Sequence, residues 1–440
     1  MEAHENLPPA SNENMPSKRR NAFHTVISLY TGAGGLDLGF EAAGFKTKVA
    51  VEFDADAVKT LRHNRDWAVI DDDIHSERAS SANLLKAGKL KEGEASVLIG
   101  GPPCQPFSKS GYWANGDALR LADPRASTLG AYLRVLRDTL PQAFLIENVP
   151  GIAYSSKDEG IRFIEREIRK INREMGTKYS FKSSLLRAVE FGVPQDRQRV
   201  FIIGDRDGRE FTFPSPTHRA PGTSVEGSMF EGEPLKIAST AWDAIGDLQD
   251  DDDPSLALTG KWANLLPTIP EGKNYLHHTD RGEGLPLFGW RRRYWNFLLK
   301  LAKSQPSWTI AAQPGPAVGP FHWKNRRLSA REMCRIQTFP DGYEILGPLR
   351  AAQKQVGNAV PSALAEVLAL EIRRQFLGDS AAEGLLPTLV PKKRARIPAA
   401  ERTRPVPHEF RALAGDHEAH PGTGQGYGAQ RRAALAELEA

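Results

Sequence analysis

The sequence is short of cysteine and has no long apolar run. Only two cysteines occur among its 440 residues, and neither Cys104 nor Cys334 lies in a C-x-x-C or Cys/His cluster. This excludes a disulfide framework and argues against structural zinc. Cys334 falls within a helical apolar pattern and is predicted to be a core residue. No stretch approaches the ~18 consecutive apolar residues of a membrane helix, and the first residues lack the apolar segment of a secretory signal. We therefore expect a protein without metal or membrane association that stays in the cytoplasm.

Neither sign of charge dominates the chain. Lys and Arg number 58 against 54 Asp and Glu, which gives a net charge of +4. This mild excess permits a polyanionic partner without requiring one. Apolar residues make up 40% of the chain, enough for a sizeable core. The length alone suggests about two or three domains.

Secondary-structure patterns divide the chain into five parts. In residues 22–215, short β-rich runs alternate with helical patterns, which predicts a doubly wound α/β fold around a parallel sheet. Residues 216–328 are rich in Pro, Gly, Trp and His without clear periodicity and indicate a second, smaller and irregular domain. Helical patterns in 329–377 complete the first domain. Residues 1–21 and 378–440 carry few large apolar side chains and are predicted to be flexible tails, the second of them basic and rich in Gly and Pro.

The first apolar strand runs into a glycine-rich turn in "SLYTGAGGLDLGF". Gly32 and Gly34 would let the backbone approach a ligand closely at the N-terminus of the next helix. The G-x-G-x-x-G fingerprint of dinucleotide-binding folds fails here, because Asp37 occupies the third glycine position. Tight packing between a strand and a helix also needs glycines, so the turn by itself leaves both explanations open.

An acid follows the turn at the spacing of a nucleoside site. Glu52 ends the next strand about twenty residues on, where a carboxylate can hold the two hydroxyls of a ribose. Asp73 and Ile74, after a possible third strand, would hold the amino group of an adenine and cover its face. A glycine turn followed by an acid, without the dinucleotide fingerprint, suits S-adenosylmethionine, a nucleoside that carries an amino-acid tail.

Cys104 lies on a stiff turn directly after the strand "SVLIGG". Pro102 and Pro103 fix φ and remove backbone donors, so the sulfur is presented beyond the carboxyl end of a parallel strand, where ligands bind. The apolar run "AFLIEN" delivers Glu147 and Asn148 to the same edge. We interpret Cys104 as a nucleophile and Glu147 as a proton donor. A small buried cysteine and a capping or salt-bridged glutamate are the structural alternatives.

Two arginines follow in "VPQDRQRVFIIG". Arg197 and Arg199 are two residues apart on a predicted strand and would point to one face. Together they would form a fork for a phosphate or a base carbonyl. A solvated charged face is the alternative that this pair alone does not exclude.

Eight segments, in order, resemble the motifs of the cytosine-C5 DNA methyltransferases. They are "YTGAGGLDLGF", "VEFDADA", "DDDI", "GGPPCQPFS", "FLIENVPG", "VPQDRQRVFIIG", "RRLSAREMCRIQTFPD" and "QVGNAVP". The resemblance covers most of residues 25–375, and chance agreement of all eight in order is implausible. It implies a Rossmann-like, class I S-adenosylmethionine-dependent methyltransferase domain with a target-recognition domain in residues 216–328.

The resemblance implies a covalent mechanism. The target cytosine is flipped out of duplex DNA, and the Cys104 thiolate adds to C6 of its ring. Glu147 bonds N3 and the exocyclic amine, while Arg197 and Arg199 orient the base. C5 then takes the methyl group of S-adenosylmethionine and loses its proton.

The resemblance also implies contacts to the cofactor and to DNA. The cofactor-binding residues implied in this way are Tyr30, Gly32, Gly34, Glu52, Phe53, Asp73, Ile74, Pro103, Asn358 and Val360. The DNA-binding residues are Gln105, Ser108, Asn148, Arg291, Arg292 and Arg293. Among these, the three arginines of "GWRRRYW" are candidates to read guanine edges. Thr128 stands where the family often has a leucine.

Size and the lack of long regulatory regions resemble bacterial modification enzymes. We expect a monomer that acts on double-stranded DNA in the bacterial cytoplasm, associated with the nucleoid through its substrate, and paired with a restriction endonuclease for the same site. One alternative is a tRNA cytosine-5 methyltransferase of similar fold, against which the long insert between Arg199 and Arg327 argues. Another is a methyltransferase-like protein that binds DNA without turnover, against which the presence of Cys104 and Glu147 argues.

Overall fold

The computed structural model describes residues 23–103, 126–154, 159–220, 234–248, 253–289, 294–394 and 396–415. The alternating pattern of the first half forms β1 (His24–Leu29), β2 (Phe45–Glu52), β3 (Ala68–Asp71), β4 (Val97–Gly100), β5 (Ala143–Asn148), β6 (Ser180–Arg187), β7 (Gln195–Asp196) and β8 (Gln198–Asp205). Seven of these strands make one sheet of order β3-β2-β1-β4-β5-β8-β6, and β7 stands outside it.

The central strands are covered on both faces. β4 and β5 are buried along their whole length, as central strands of a parallel sheet between two layers of helices must be. Side chains alternate between the faces, so Val97 and Ile99 enter one hydrophobic cluster and Leu98 enters the other. β1 to β5 run parallel, whereas β8 runs antiparallel to both β5 and β6. The prediction of a doubly wound α/β fold is confirmed.

The described helices pack on the two faces of the sheet or in the clusters formed by residues after β8. They are α1 (Gly35–Ala42), α2 (Ala55–Asn64), α3 (Ser81–Gly88), α4 (Ala126–Thr139), α5 (Gly151–Tyr154), α6 (Glu159–Met175), α7 (Ala241–Ile245), α8 (Ala330–Ile336), α9 (Leu349–Asn358), α10 (Ser362–Phe376) and α11 (His408–Arg411). α1 packs closely against α10 at Gly39, because glycine has no side chain there. A Cβ at this position would collide with the Ser362 carbonyl oxygen. α3, α4 and α6 cover the opposite face. Among the helices that the structure describes, none has the length and apolar character needed to cross a bilayer.

The region after β8 is irregular and has a hydrophobic cluster of its own. Its strands are β9 (His218–Arg219), β10 (Lys236–Ile237) and β11 (Ser307–Trp308). Short 3₁₀ helices occur in it at Pro254–Leu256, Ala263–Thr268 and Tyr275–His278. Elsewhere in the chain, 3₁₀ helices occur at Glu77–Ala79, Ala188–Phe191 and Ser380–Ala382. The cluster is formed by Leu265, Leu266, Ile269, Leu287, Leu298, Phe321 and Phe410. A separate cluster supports a second domain, whose boundaries at 216 and 328 stay predictions.

The segment after α10 differs from the flexible tail that its composition predicts. Residues 378–394 and 396–415 pack along the protein, and we call them the C-terminal strap. The buried carboxylate of Glu366 accepts hydrogen bonds from the Thr388 N–H and hydroxyl at 2.8 Å and from the Leu389 N–H at 2.9 Å. Further along, Phe410 stacks on Trp262 at 5.8 Å between ring centroids. The predicted tail residues 1–21 and 416–440 lie outside the described part of the chain.

Packing of the strap can be tested by substitution. Phe410 is 3% exposed, so Phe410→Ala should lower the free energy of unfolding by about 3–5 kcal/mol through lost burial and the cavity left behind. Urea denaturation measures the loss. Leu386→Ala is the control in the same segment, because its side chain is 75% exposed and its replacement should change stability by less than about 0.5 kcal/mol. Equal stability of the two variants would show that the strap does not pack as described.

Candidate active site and cofactor pocket

A cavity opens where the carboxyl ends of the parallel strands meet. Its volume is about 400 Å³, and it is lined by the ends of β1, β2, β4 and β5, the start of β8 and the end of α9. Ligands bind at this edge of open α/β sheets because the loops that leave the strands diverge there. The sheet therefore brings together, around one space, side chains from segments that are far apart in the sequence.

The two glycines of the first turn have different reasons to be glycine. Gly32 has φ of 56°, and an added Cβ would meet no atom within 4 Å, so its backbone faces open space in the cavity. Gly34 has φ of 79°, and a Cβ there would press on the Tyr343 hydroxyl at 3.2 Å and on Leu61 at 3.3 Å. Positive φ favours glycine at both positions, and packing adds a second reason at Gly34. The ligand approach expected at Gly32 stays a prediction. The cofactor contact expected of Gly34 stays a prediction.

Glu52 closes the turn from the other side. Its carboxylate accepts hydrogen bonds from the backbone N–H groups of Gly32 at 2.6 Å, Phe53 at 2.9 Å and Asp54 at 2.8 Å. Burial raises the pKa of this carboxyl above its ordinary value, and the three N–H donors oppose the rise. A carboxylate has about four acceptor positions, so one remains for a ribose hydroxyl. The glycine turn and the acid are thus one hydrogen-bonded unit.

A second hollow of about 330 Å³ adjoins the first. It is lined by Tyr30, Val51, Glu52, Phe53, Asp72, Asp73, Ile74, Pro103 and Thr128. Tyr30 donates to the Thr128 carbonyl at 2.7 Å, and the Thr128 hydroxyl donates to the Pro103 carbonyl at 3.2 Å. Burial raises the pKa of Tyr30, so its hydroxyl stays a donor. These contacts close the side of the hollow where the family often has leucine.

The two hollows fit S-adenosylmethionine. The second combines the apolar side chains of Phe53 and Ile74 with the carboxylate of Asp73, as a planar base with an amino group requires. Asn358 and Val360, predicted for the methionine end, line the first hollow. The chain therefore places a nucleoside-sized space and a space for an amino-acid tail side by side, joined at Glu52.

Glu147 is one of the acids that line the first hollow. It lies near the end of β5, and its Oε1 is 2.8 Å from Arg199 Nε in an ion pair. Gly101 approaches the other oxygen, because a Cβ at that position would lie 2.8 Å from Glu147 Oε2. The need for Gly101 was missed in the sequence, although the second glycine of "GGPPC" was a visible signal. Any larger residue at 101 would displace the carboxylate.

The two arginines of the predicted fork have different partners. Arg199 is in β8 and pairs with Glu147, whereas Arg197 lies in the break between β7 and β8 and is 1% exposed. Arg197 Nη2 donates to the Gly357 carbonyl at 2.9 Å, while its Nε and Nη1 are buried without a partner among the described residues. Burial, together with the charge of Arg199, lowers the pKa of Arg197 well below its ordinary value. Arg197 is therefore buried close to Arg199 and Glu147, and the fork expected of the two guanidiniums stays a prediction.

Asn148 joins the turns that follow β4 and β5. Its side-chain amide donates to the Pro102 carbonyl at 3.2 Å, and its Oδ1 accepts from the Val149 N–H at 2.8 Å. The side chain is buried, so it holds the turn that leads to Cys104. Its predicted DNA contact stays a prediction. Cys104, Gln105 and Ser108, together with Arg291, Arg292 and Arg293, lie outside the described residues.

The other cysteine has no nucleophilic role. Cys334 lies in α8, buried within a hydrophobic cluster, as predicted. Burial raises the pKa of its thiol to about 12, so it is protonated at neutral pH. Cys104 is the remaining thiol of the sequence. Within the described ranges, no three His, Cys, Asp or Glu side chains are grouped so that they could hold a metal ion.

A buried acid under the glycine turn was also missed. Asp37 accepts from the hydroxyls of Ser28 and Thr47, each at 3.0 Å, and Ser28 in turn contacts Thr31 at 3.0 Å. Burial raises the pKa of Asp37 to about 7. The sequence showed only that Asp37 breaks a glycine fingerprint. Its place at the junction of β1, β2 and α1 depends on the assembled sheet.

The sheet order and the paired hollows define an S-adenosylmethionine-dependent methyltransferase. Solved structures with this fold include one described as a DNA modification methyltransferase encoded within an E. coli prophage, with a TM-score of 0.56, 22% identity and coverage of 80% of this chain and 99% of that one. Another is DNMT2 of Spodoptera frugiperda, with a TM-score of 0.54, 16% identity and coverage of 79% and 99%.

Sequence comparison identifies the family within this class. The pattern of the family described as C-5 cytosine-specific DNA methylase matches residues 24–374. Relatives include the type II methyltransferase M.SacI of Streptomyces achromogenes, 40% identical over 374 residues that cover 80% of this chain and 93% of the relative. Another is M1.HphI of Haemophilus parahaemolyticus, 33% identical over 354 residues, covering 78% and 85%. The chain belongs to the C-5 cytosine-specific DNA methylases, and it uses S-adenosylmethionine as the methyl donor.

The pKa of Asp37 predicts a pH-dependent stability. Because the carboxyl titrates near 7 in the folded protein and near 3.8 as a free side chain, the folded state binds a proton that the unfolded state releases between these values. Stability from this group is therefore full below about pH 4 and is lost as pH rises toward 7. Relative to Asp37→Asn, the wild type should lose up to about 1.4 kcal/mol per pH unit in this interval. Urea denaturation from pH 5 to 8 measures it. For Asp66→Asn, at an exposed position, the free energy of unfolding should follow the same pH dependence as in the wild type. The same pH dependence in Asp37→Asn would contradict the prediction.

Proposed function

We propose that this enzyme methylates C5 of a cytosine flipped out of a specific duplex DNA sequence, through a covalent bond between the Cys104 sulfur and C6 of the ring. The observation that supports it most is the placement of Glu147. Glu147 lies near the end of β5, and its carboxylate pairs with Arg199. The same carboxylate lies against Gly101, on the turn that leads to Cys104. The same cavity contains Glu52 and Asn358, so acid, thiol-bearing turn and cofactor residues border one space.

The chemistry requires the base to leave the helix. Attack on C6 comes from above the ring plane, and that direction is closed while the cytosine is stacked in a duplex. Bond formation between the Cys104 sulfur and C6 moves electron density toward C5 and N3. Glu147, with one oxygen fixed by Arg199 and carrying a proton when the base is bound, offsets that charge by donating to N3, and it accepts from the exocyclic amine. C5 then forms a bond to the transferred methyl group. Loss of the C5 proton and cleavage of the S–C6 bond restore the ring and release the methylated base.

The cofactor residues divide by the part of the molecule they would hold. S-adenosylmethionine supplies a methyl group carried on a sulfonium when it is bound. Glu52 would accept from the ribose, Asp73 would accept from the adenine amino group, and Phe53 and Ile74 would flank the ring. Tyr30, Gly32, Gly34, Pro103, Asn358 and Val360 complete the proposed set. The buried Nε and Nη1 of Arg197 would be satisfied by the base or by residues of the Cys104 loop.

Recognition of DNA would come from the second region. Residues 216–328 are proposed as the target-recognition domain, with Arg291, Arg292 and Arg293 as candidates to read base edges. Gln105, Ser108 and Asn148 would contact the DNA from the side of the Cys104 loop. The relatives named as type II methyltransferases support a role in a bacterial restriction-modification system. A monomeric enzyme acting on nucleoid DNA, with an endonuclease for the same site, completes the proposal.

Trapping tests the covalent step. Duplex DNA prepared with 5-fluorocytosine in place of cytosine should form a stable adduct with the wild type in the presence of cofactor, because the fluorine cannot leave as a proton does. Cys104→Ala should form no adduct and should lose methylation by at least about 1,000-fold, while its affinity for DNA changes little. Denaturing electrophoresis detects the adduct.

Two controls make the trapping result decisive. Cys334→Ala removes the other thiol and should still be trapped. Labelled cofactor incubated with duplex DNA and with tRNA distinguishes the substrates. An adduct in Cys104→Ala, or label transferred to tRNA alone, would overturn the proposal.

The proposed ribose contact predicts a loss of cofactor affinity. Glu52→Gln replaces an acceptor oxygen by an amide nitrogen, and that nitrogen can accept neither from the Gly32 N–H nor from a ribose hydroxyl. Calorimetry should show S-adenosylmethionine binding weakened by about tenfold or more, equivalent to ~1.4 kcal/mol or more. Asp66→Asn on the exposed surface serves as the charge-matched control. Unchanged cofactor affinity in Glu52→Gln would remove Glu52 from the site.

A further inference from the structure

Two tryptophans from separate parts of the second region meet at the surface. Trp295 and Trp308 are 40% and 38% exposed, and their rings lie edge to face with centroids 4.6 Å apart. Indole rings are highly buried on average, and each can bury a large apolar area against a partner. A pair that leaves this much ring surface in water is suited to contact another molecule.

The pair is attached to β7, the short strand that directly precedes the site arginines. Trp308 lies in β11, which pairs with β7 so that Trp308 is opposite Asp196. The Ser307 N–H donates to the Pro194 carbonyl at 2.8 Å, and the Thr309 hydroxyl donates to the Asp196 carbonyl at 2.7 Å. These bonds fix the backbone of Trp308 to the residue that directly precedes Arg197.

This attachment places the tryptophans at the edge of the sheet where the cavity opens. β8 runs antiparallel to β5, with Asn148 opposite Val200, so the residues before Val200 extend beyond the end of β5. Asp196 precedes Arg199 by three residues, a separation of about 10 Å in extended chain. That distance equals about three base steps at ~3.4 Å each. The pair is therefore within reach of base pairs next to a cytosine held at Glu147 and Arg199.

Charge around the pair is compatible with a polyanion. Arg187 makes two hydrogen bonds to Asp196, at 2.7 and 2.6 Å, and so neutralises the carboxylate opposite Trp308. In the sequence, three arginines directly precede Tyr294 and Trp295. A rigid aromatic pair with cationic neighbours matches the combination that nucleic-acid surfaces use, where aromatic rings contact bases and basic groups contact phosphates.

We propose that Trp295 and Trp308 form a DNA-contacting surface that packs against deoxyribose of the duplex backbone beside the target cytosine. The contact is independent of base identity, because every nucleotide carries the same sugar. Its function is to position the duplex at the Glu147 pocket. The inference rests on the proposed function in one respect, that the cytosine enters at this pocket. The partner is duplex DNA, because continuity with the reaction edge and the flanking arginines favour it over a second protein.

Kinetics with unmethylated plasmid DNA tests the surface. Trp308→Ala and Trp295→Ala should each raise KM for DNA by about tenfold, while KM for S-adenosylmethionine stays unchanged. Trp308→Phe keeps an aromatic ring and should restore most of the loss. Leu386→Ala, a remote exposed apolar residue, should behave as the wild type. Thermal melting checks that each variant is folded, and quenching of wild-type tryptophan fluorescence by DNA, reduced in Trp308→Phe, gives a readout should the alanine variants not fold.

The tryptophan surface and the covalent mechanism can fail independently. Unchanged KM for DNA in both alanine variants, with normal 5-fluorocytosine trapping of the wild type, would overturn the tryptophan surface and leave the mechanism intact. A wild type that is not trapped, with KM for DNA still raised in the variants, would overturn the covalent mechanism and leave the tryptophan surface intact. A change of oligomeric state in Trp308→Ala by size-exclusion chromatography, without a change in KM for DNA, would identify a protein interface and overturn the DNA contact.

Discussion

A buried ion pair between two strands of opposite direction holds the site together. Arg199 Nε lies 2.8 Å from Glu147 Oε1, and both side chains are largely buried. A carboxylate removed from water is costly unless it is paired and hydrogen-bonded, so the charge of Glu147 at this place requires Arg199 beside it. That in turn requires β8 to pair antiparallel with β5, with Glu147 opposite Phe201. The chain must fold back through α6 and β6 before the pair can form.

Neighbouring contacts make the pair part of a fixed frame. Gly101 approaches Glu147 Oε2, and Asn148 holds the Pro102 carbonyl of the same turn. Arg197 donates to the Gly357 carbonyl at the end of α9 and so connects the arginine segment to the cavity. The carboxyl ends of β4 and β5, the start of β8 and the end of α9 are therefore connected by hydrogen bonds and one ion pair. Such connections hold the Glu147 carboxylate in one position.

The C-terminal strap shows how composition can mislead. It follows the end of the family match at residue 374 and is polar enough to be predicted flexible. A few specific contacts hold it in place. Backbone and hydroxyl groups donate to the buried Glu366, and Lys393 forms an ion pair with Asp243 at 2.9 Å. The ring of Phe410 packs in the hydrophobic cluster of the irregular region. None of these has a periodic signature, because each partner is provided by a distant part of the chain. The strap contacts both the methyltransferase fold and the second region, and so links them.

Sequence alone determined the α/β alternation, the glycine turn, Glu52, Glu147 and the thiol at 104, since each of these follows from local patterns or from motifs in fixed order. It could not separate Gly32, open to the cavity, from Gly34, packed on Tyr343, because the distinction depends on residues some three hundred positions apart. It placed Arg197 and Arg199 on one face, and only the tertiary structure decided that Arg199 pairs with Glu147 while Arg197 donates to the Gly357 carbonyl. Asp37, Gly101 and the tryptophan pair acquired their roles in the same way. Local chemistry fixes which groups the chain carries, whereas strand register and long-range packing decide which of them meet.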